Sequence, residues 1–518
     1  MSFQIKSFHF HIYFFALSLL AIGLPFSNFL MSISQLILLG NWILEGNLKE
    51  KSKQFFQNKT ALVFSSVFII HLLGLLYTTD FVYGLEDIRK KIPLLLLPLI
   101  ISTSKPLSEI WFKRLLAVFV ASVAIATVVC SFVLFGFTTK EIIDVREISI
   151  FISHIRFSLM ICLAFFISLY YGYKQRGAER LMLLILSFWF IVFLILMQSL
   201  TGIIITTIIL FFLILYQTFN IQHSTFKIPL ILILLLFPML SFFYIKNEIQ
   251  KFQQINPIDL LKLEEFSKGG EKYFHDTTRT NLENGNYIWI YIAREELKNS
   301  WNKKSSISID STDEKQQLVY STLIRFLTSK GLKKDAEGIN SLSNDEVKSI
   351  ENGVANVNFQ HSNFNTRVQQ ILWEINSYKS GETPNGHSLT MRFEFWKIAI
   401  GIIKENLFFG VGTGDVKISF EEEYKKTNSS LSQQWRLRAH NQFLEIAVAL
   451  GIFGLMFFLF SLISPFIFNR KKTNYFYVVF FTIAAFSMFS EDTLETQAGV
   501  TFFAFFNCLL LFGREGKN

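Results

Sequence analysis

The chain has 518 residues, of which 51% are hydrophobic, 59 are phenylalanine and only 17% are charged. An ordinary soluble domain is excluded, because such a balance would leave far too much apolar surface in water. The formal charge of +9 does not imply a nucleic-acid partner, and none is expected; where the positive residues fall along the chain is the better clue.

Hydropathy places about twelve candidate spans near residues 9–25, 28–44, 60–77, 84–103, 114–136, 151–172, 181–198, 200–217, 228–245, 441–467, 475–490 and 498–513. Crossing a bilayer core takes roughly 17 to 25 apolar residues. The first block, Phe10–Leu24 behind Lys6, resembles a signal sequence. It has no small-x-small cleavage site and runs at once into a second apolar block, so it is expected to be retained as a span. The fourth is the weakest, interrupted by Pro93 and Pro98 and opened by Glu86, Asp87, Arg89, Lys90 and Lys91. Cys130, Cys162 and Cys508 lie inside apolar blocks with no CxxC spacing, as buried small hydrophobes do.

The expected fold is all-α: a polytopic integral membrane protein of about twelve transmembrane helices with one large, mainly helical periplasmic loop. Residues 1–245 form an N-terminal bundle of about nine spans, 246–440 the loop domain, and 441–518 a C-terminal bundle of about three. Helical spacing within the loop recurs at 287–300, 313–330 and 364–379. One set of short loops carries Lys49, Lys51, Lys53 and Lys59, then Lys105, Lys113 and Arg114, then Lys174, Arg176 and Arg180. The set continues with Lys227, with Arg470, Lys471 and Lys472, and with Arg514 and Lys517. The opposite set has only Arg89, Lys90, Lys91, Lys140 and Arg146. Positive charge favours the cytoplasm, which places both termini inside and the long loop outside.

On that topology the polar oddities share the outer face. Arg392 opens an amphipathic helix before the tenth span, and Arg436-Leu437-Arg438-Ala439-His440-Asn441 leads into the span itself. His154 and Arg156 stand at the outer end of the sixth span, Arg89 at that of the fourth, and Glu491, Asp492 and Glu495 between the last two. Taken singly, each has a plainer reading: an Arg at a span end usually snorkels to the interface, and carboxylates there cap helices or pair with a neighbouring Arg. Ionisable groups at membrane depth are nevertheless costly, so their coincidence suggests a site. Guanidinium forks suit a diphosphate, and a His at a helix N-terminus is biased toward the neutral form that a general base needs. That combination points to group transfer from a lipid-linked diphosphate to a hydroxyl. Gly410-Val411-Gly412-Thr413-Gly414-Asp415 follows a helix rather than a strand, so it reads as a tight turn returning the chain to the membrane, with a phosphate nest at Gly412 and Gly414 as the alternative. No HExxH or Cys/His cluster supports a metal, and no metal or cofactor is expected.

Together these residues resemble the O-antigen ligase and polymerase superfamily. The matching elements are His440-Asn441-x-x-Leu444 followed by Gly451-x-x-Gly454, and Arg392-x-x-x-Trp396 leading to Gly410-x-Gly412-x-Gly414. The Ser153–Ser158 segment and the run from Glu491 to Gly499 look like the version found in Bacteroidetes-type members. The resemblance implies a metal-independent, inverting glycosyltransferase in a bacterial inner membrane with its site facing the periplasm. It implies an undecaprenyl-diphosphate-linked glycan as donor and the lipid A core or another glycan as acceptor. His440 then matches the catalytic His, and Arg392 the Arg that binds the donor diphosphate. Arg156 and Arg89 are further diphosphate candidates, with His154, Asn441, Arg438, Glu491, Glu495, Gly412 and Gly414 in support. One departure stands out: the family often carries Ser-Arg-Gly where this chain has Ser199-Leu200-Thr201-Gly202, and Arg156 is expected to supply the missing charge. A repeat-unit polymerase, a protein O-oligosaccharyltransferase and a lipid-linked glycan transporter remain as alternatives. Sparse polar groups in mid-span, His71 among them, argue against the transporter.

Overall fold

The computed structural model describes residues 2–138, 145–220, 224–314, 317–360, 364–381, 383–470 and 473–515. Lys140, Lys471, Lys472 and Lys517 of the loop-charge pattern lie outside them. The chain is an all-α polytopic membrane protein. Among the described residues, eight helices are long and apolar enough to cross a bilayer, or up to nine if the bent pair Asn28–Leu44 and Leu48–Gln57 counts as one span. The eight include Ser7–Phe26, Lys59–Tyr77, His154–Lys174 and Gln442–Phe468.

Three of the expected spans fall on shorter helices. Residues 84–103 divide into Phe81–Lys91 and Pro93–Thr103, because Pro93 has no amide to carry the helix through. Tyr475–Ser490 and Gln497–Leu511 have 16 and 15 residues. At about 1.5 Å per residue, each covers only about 22 to 24 Å. They stop short on either side of a buried acidic turn, Glu491–Thr496, where uninterrupted spans would have continued.

The chain divides into two units, one of residues 1–217 with 383–518 and one of 218–382. In the first, Lys59–Leu73 packs on Pro93–Thr103 and on Gln442–Phe468, and His154–Lys174 packs on Gly177–Leu196 and Tyr475–Ser490. Phenylalanine fills the spaces: Phe480 meets Phe502, Phe503 and Phe506, and Phe506 meets Phe119. Large rings at edge-to-face or offset angles bury much area without polar groups to satisfy.

Gln442–Phe468 is broken inside. Gly451 has φ 66° and ψ −168°, a combination that is essentially open only to glycine. The Val448 and Ala449 carbonyls therefore lose their helical partners and accept instead from the Val411 and Gly412 amides, at 2.9 Å each. On the far side of the break, the Ile452 amide donates to the Leu407 carbonyl at 2.8 Å. Irregular backbone at membrane depth persists only where protein satisfies it, and the segment 407–412 does so here. A Cβ on Gly451 would lie 2.3 Å from the Phe408 carbonyl carbon, and one on Gly414 would lie 2.2 Å from the Asp80 carbonyl oxygen. The glycines of this segment admit close backbone approach, in line with the tight-turn reading.

The second unit holds the apolar helix Ser224–Gln253, the helices Arg294–Lys304, Val319–Ser329, Asn344–Glu351 and Phe364–Lys379, and a two-residue hairpin pairing Leu282–Glu283 with Asn286–Tyr287. Leu297, Trp301, Leu323, Phe326, Leu327 and Ile350 form its core. Ser343 and Glu346 close a capping box at the start of Asn344–Glu351, satisfying amides that the first helical turn leaves free.

Candidate active site

Asn441 caps the broken helix. Its side-chain oxygen accepts from the Phe443 and Leu444 amides at 3.0 and 3.1 Å, and its Nδ2 donates to the Phe489 carbonyl at 2.9 Å. That second bond ties the cap to the end of Tyr475–Ser490. His440, one residue earlier, is forced to φ 45°, left-handed backbone that a non-glycine residue adopts only when its surroundings hold it there. Its ring lies against Phe395, with centroids 5.6 Å apart.

The acidic turn sits beneath this ring. His440 Nδ1 is 3.7 Å from both Glu491 Oε2 and Asp492 Oδ1, within ion-pair range but too long for a hydrogen bond. Nδ1 itself is buried and has no hydrogen-bond partner among the described residues, whereas the side chain as a whole is 29% exposed. The accessible part of the ring therefore excludes Nδ1. Arg392 grips the same turn: Nη2 donates to Glu491 Oε1 at 2.8 Å and Nε to the Ser490 carbonyl at 3.2 Å. Its Nη1 donates to the Ser388 carbonyl at 2.7 Å. A guanidinium has five N–H donors, so Arg392 keeps donors beyond these three bonds. Arg156 Nη2 lies 3.5 Å from Asp492 Oδ1, and Arg438 Nη2 lies 3.7 Å from Asp492 Oδ2.

These neighbours set the protonation states. Burial works to lower the pKa of His440, but the Glu491 and Asp492 carboxylates outweigh it and raise it above its ordinary 6.5, against opposition from Arg392. This reverses the bias toward the neutral form expected at a helix N-terminus. Burial also works to raise Glu491, yet His440, Arg392 and Arg156 hold it below the usual carboxylate range. For Asp492, burial wins and its pKa rises despite His440 and Arg438. Adjacent carboxylates pushed apart in this way carry different roles: Glu491 is a fixed anion, and Asp492 is the easier of the two to protonate.

A second ionic group lies beside the first. Arg438 Nη1 is 3.2 Å from Glu445 Oε1, 3.3 Å from Glu495 Oε2 and 3.1 Å from the Tyr83 hydroxyl. Lys91 Nζ donates to Glu495 at 2.8 Å and to Asp87 at 2.6 Å, and Gln442 Nε2 donates to Glu495 at 3.1 Å. Burial acts to raise Glu495, but Lys91 and Arg438 keep it well below its ordinary pKa. So many cations make Glu495 an anchor rather than a proton acceptor.

The remaining candidates are placed as follows. Arg89 is exposed, on the face of Phe81–Lys91 opposite the buried Asp87 and Lys91; it is not brought to the cluster. His154 is half-buried at the start of His154–Lys174. Near the missing family Arg, a Cβ on Gly202 would lie 3.0 Å from Ser158 Cβ, so Arg156 is carried two residues from that helix contact. At Gly412 the amide is already used by Ala449, and the Val411 and Thr413 amides by Val448 and Gly74, which leaves those three groups unavailable as a phosphate nest. Lys91, Asp87, Glu445 and Gln442 join the clusters although sequence reading assigned them no role there, and Asp492, placed on the outer face with Glu491 and Glu495, proves to be a direct neighbour of His440. Two signals were present: the four-residue spacing of Asp87 and Lys91, and a carboxylate, Glu445, inside an apolar helix.

His440, Glu491 and Asp492 also offer ligand atoms within 4.8 Å of one another, a spacing that fits a metal ion. Arg392, Arg156 and Arg438 already lie against those two carboxylates, which makes the position electrostatically poor for a further cation.

Residues 340–459, which include Arg392, the glycine-rich segment, Arg438 and His440, match the family model described as O-antigen ligase. No curated protein matches the chain.

Proposed function

We propose that the chain, whose residues 340–459 match the O-antigen ligase family model, is an inverting glycosyltransferase of the O-antigen ligase type. It moves a glycan from undecaprenyl diphosphate to an acceptor hydroxyl at the periplasmic face of the inner membrane, and the acceptor is the lipid A core. The observation that carries this reading is a His ring backed by Glu491 and Asp492, with Arg392 and Arg156 on the same two carboxylates.

His440 takes the acceptor proton on Nε2, since Nδ1 is turned to the carboxylates. The acceptor oxygen forms a bond to the anomeric carbon on the side away from the diphosphate. The carbon–oxygen bond to the diphosphate breaks, and its electron pair stays on the leaving phosphate oxygen. Arg392 and Arg156 stabilise that charge. The raised pKa of His440 serves this step, because the carboxylates stabilise the imidazolium that forms. Arg156 stands in for the family Arg absent between Ser199 and Gly202.

Deleting the gene and resolving lipopolysaccharide on a gel tests the assignment. Uncapped core is expected for a ligase. Core capped with single repeats would make the chain a polymerase, and unchanged lipopolysaccharide would move the acceptor elsewhere, a protein hydroxyl included.

A further inference from the structure

The unit of residues 218–382 contains a cleft that the chemistry at His440 does not use. Two adjoining hollows, of about 210 and about 460 Å³, share Phe252, Asn284, Asn358 and Gln369 as walls, and the first of them is this cleft. Its floor is the hairpin tip, where Asn284 and Gly285 both have left-handed backbone, at φ 47° and 81°. Type I′ hairpin turns favour Asn-Gly for this reason.

The floor is held rigidly. Asn284 Nδ2 donates to the Ser329 carbonyl at 2.9 Å, and Asn284 Oδ1 accepts from Asn356 at 3.0 Å and from Asn358 at 3.3 Å. Asn356 also donates to the buried Glu283 at 2.7 Å, whose other oxygen takes Arg325 Nε at 2.9 Å. The Arg325 guanidinium in turn lies 4.6 Å from the centre of the Trp373 ring. Above this framework the exposed side-chain amides of Gln253 and Asn376 have no hydrogen-bond partner among the described residues. Half-buried Phe252, Phe359 and Trp373 supply aromatic surface beside them.

The lining selects a ligand class. Glu283 is matched by Arg325, and Glu248 by Lys251 at 2.8 Å, so these charges balance and the cleft favours neither an anion nor a metal ion. The two-residue strands of the hairpin offer no edge long enough to pair an extended peptide. Side-chain amides both donate and accept, as sugar hydroxyls do, and aromatic faces suit the apolar C–H face of a pyranose. A cleft with a pre-ordered polar floor and aromatic walls is the usual form of a small-ligand site.

We propose that this cleft binds a neutral glycan. Its identity as the glycan transferred at His440 rests on the function proposed above, whereas the ligand class rests on the cleft alone. The test presents the full-length protein, in lipid nanodiscs, to an array of immobilised neutral and anionic oligosaccharides. At least one neutral oligosaccharide is expected to bind. Asn376→Ala removes an amide with no partner in the fold, and Trp373→Ala removes the aromatic wall; each should weaken that binding roughly 2- to 10-fold, the equivalent of a lost hydrogen bond or ring contact. His440→Ala should leave it unchanged. Absence of neutral binders, binding confined to anionic glycans, or full affinity in both cleft variants would overturn the cleft. Glycan binding in a protein that never transfers glycan would overturn the transferase reading and leave the cleft standing.

Discussion

Glu491 and Asp492 are consecutive in sequence, yet His440 and Arg392 bind one firmly as an anion while burial raises the pKa of the other. Because Asp492 helps to raise His440, Asp492→Asn should lower the His440 pKa. A general base works only when unprotonated, so transfer must fall as pH drops through that pKa. The acid limb of the rate profile should begin above 6.5 in the native protein and move to lower pH in Asp492→Asn; an unmoved limb would mean another group titrates. At Arg392, replacement by Lys keeps the charge and loses the fork that spans Glu491 and the Ser490 carbonyl. Donor affinity measured on the detergent-solubilised variant should weaken by about 1 to 3 kcal/mol, and wild-type affinity would reduce Arg392 to a point charge. His440, Arg392 and Arg156 could be picked out in the sequence because charged groups at the ends of apolar blocks are conspicuous. Lys91 was not separable from Arg89 and Lys90, since only a helix phase tells which of three neighbouring cations turns inward.

Among the elements, hydropathy located the long helices because a bilayer demands unbroken apolar runs. The break at Gly451 left no such trace: the amides that satisfy it come from residues 407–412, which no local pattern links to the helix. The division of 84–103 at Pro93 was half legible, in the prolines and the charged first turns. Gly451→Ala should destabilise the first unit by at least the roughly 1–3 kcal/mol of a strained backbone, with the clash against Phe408 added. A thermal melt in detergent measures this, and an unchanged midpoint would show that the break relaxes at little cost. Lys91→Met leaves Asp87 and Glu495 short of their shared cation. Breaking a buried pair on one side costs about 3 to 5 kcal/mol, so the same melt should drop sharply. A midpoint near the native one would mean that water or protonation compensates.

For the whole molecule, the periplasmic side proposed for the loop of residues 246–440 rests on loop charge and is tested by labelling. With the native cysteines replaced, Ser343→Cys should react with an impermeant thiol reagent in cells whose outer membrane alone is permeabilised. Reaction only after inner-membrane lysis would put this loop in the cytoplasm and remove the periplasmic assignment. Class was readable from composition and the long spans from hydropathy, whereas the shortening of three of the expected spans and the packing of 383–440 with the bundle were not, the latter because that segment is polar and periodic like the rest of the loop. The most direct measurement is transfer itself: the purified protein in vesicles with undecaprenyl-diphosphate-linked glycan and lipid A core, the product's anomeric configuration read by NMR. Native protein should give a glycan-capped core with the configuration inverted, and His440→Gln, which donates a hydrogen bond but takes no proton near neutral pH, should lose about 100- to 10,000-fold in rate while still binding donor. Retained configuration, or near-native transfer by His440→Gln, would contradict direct displacement driven by His440 as base.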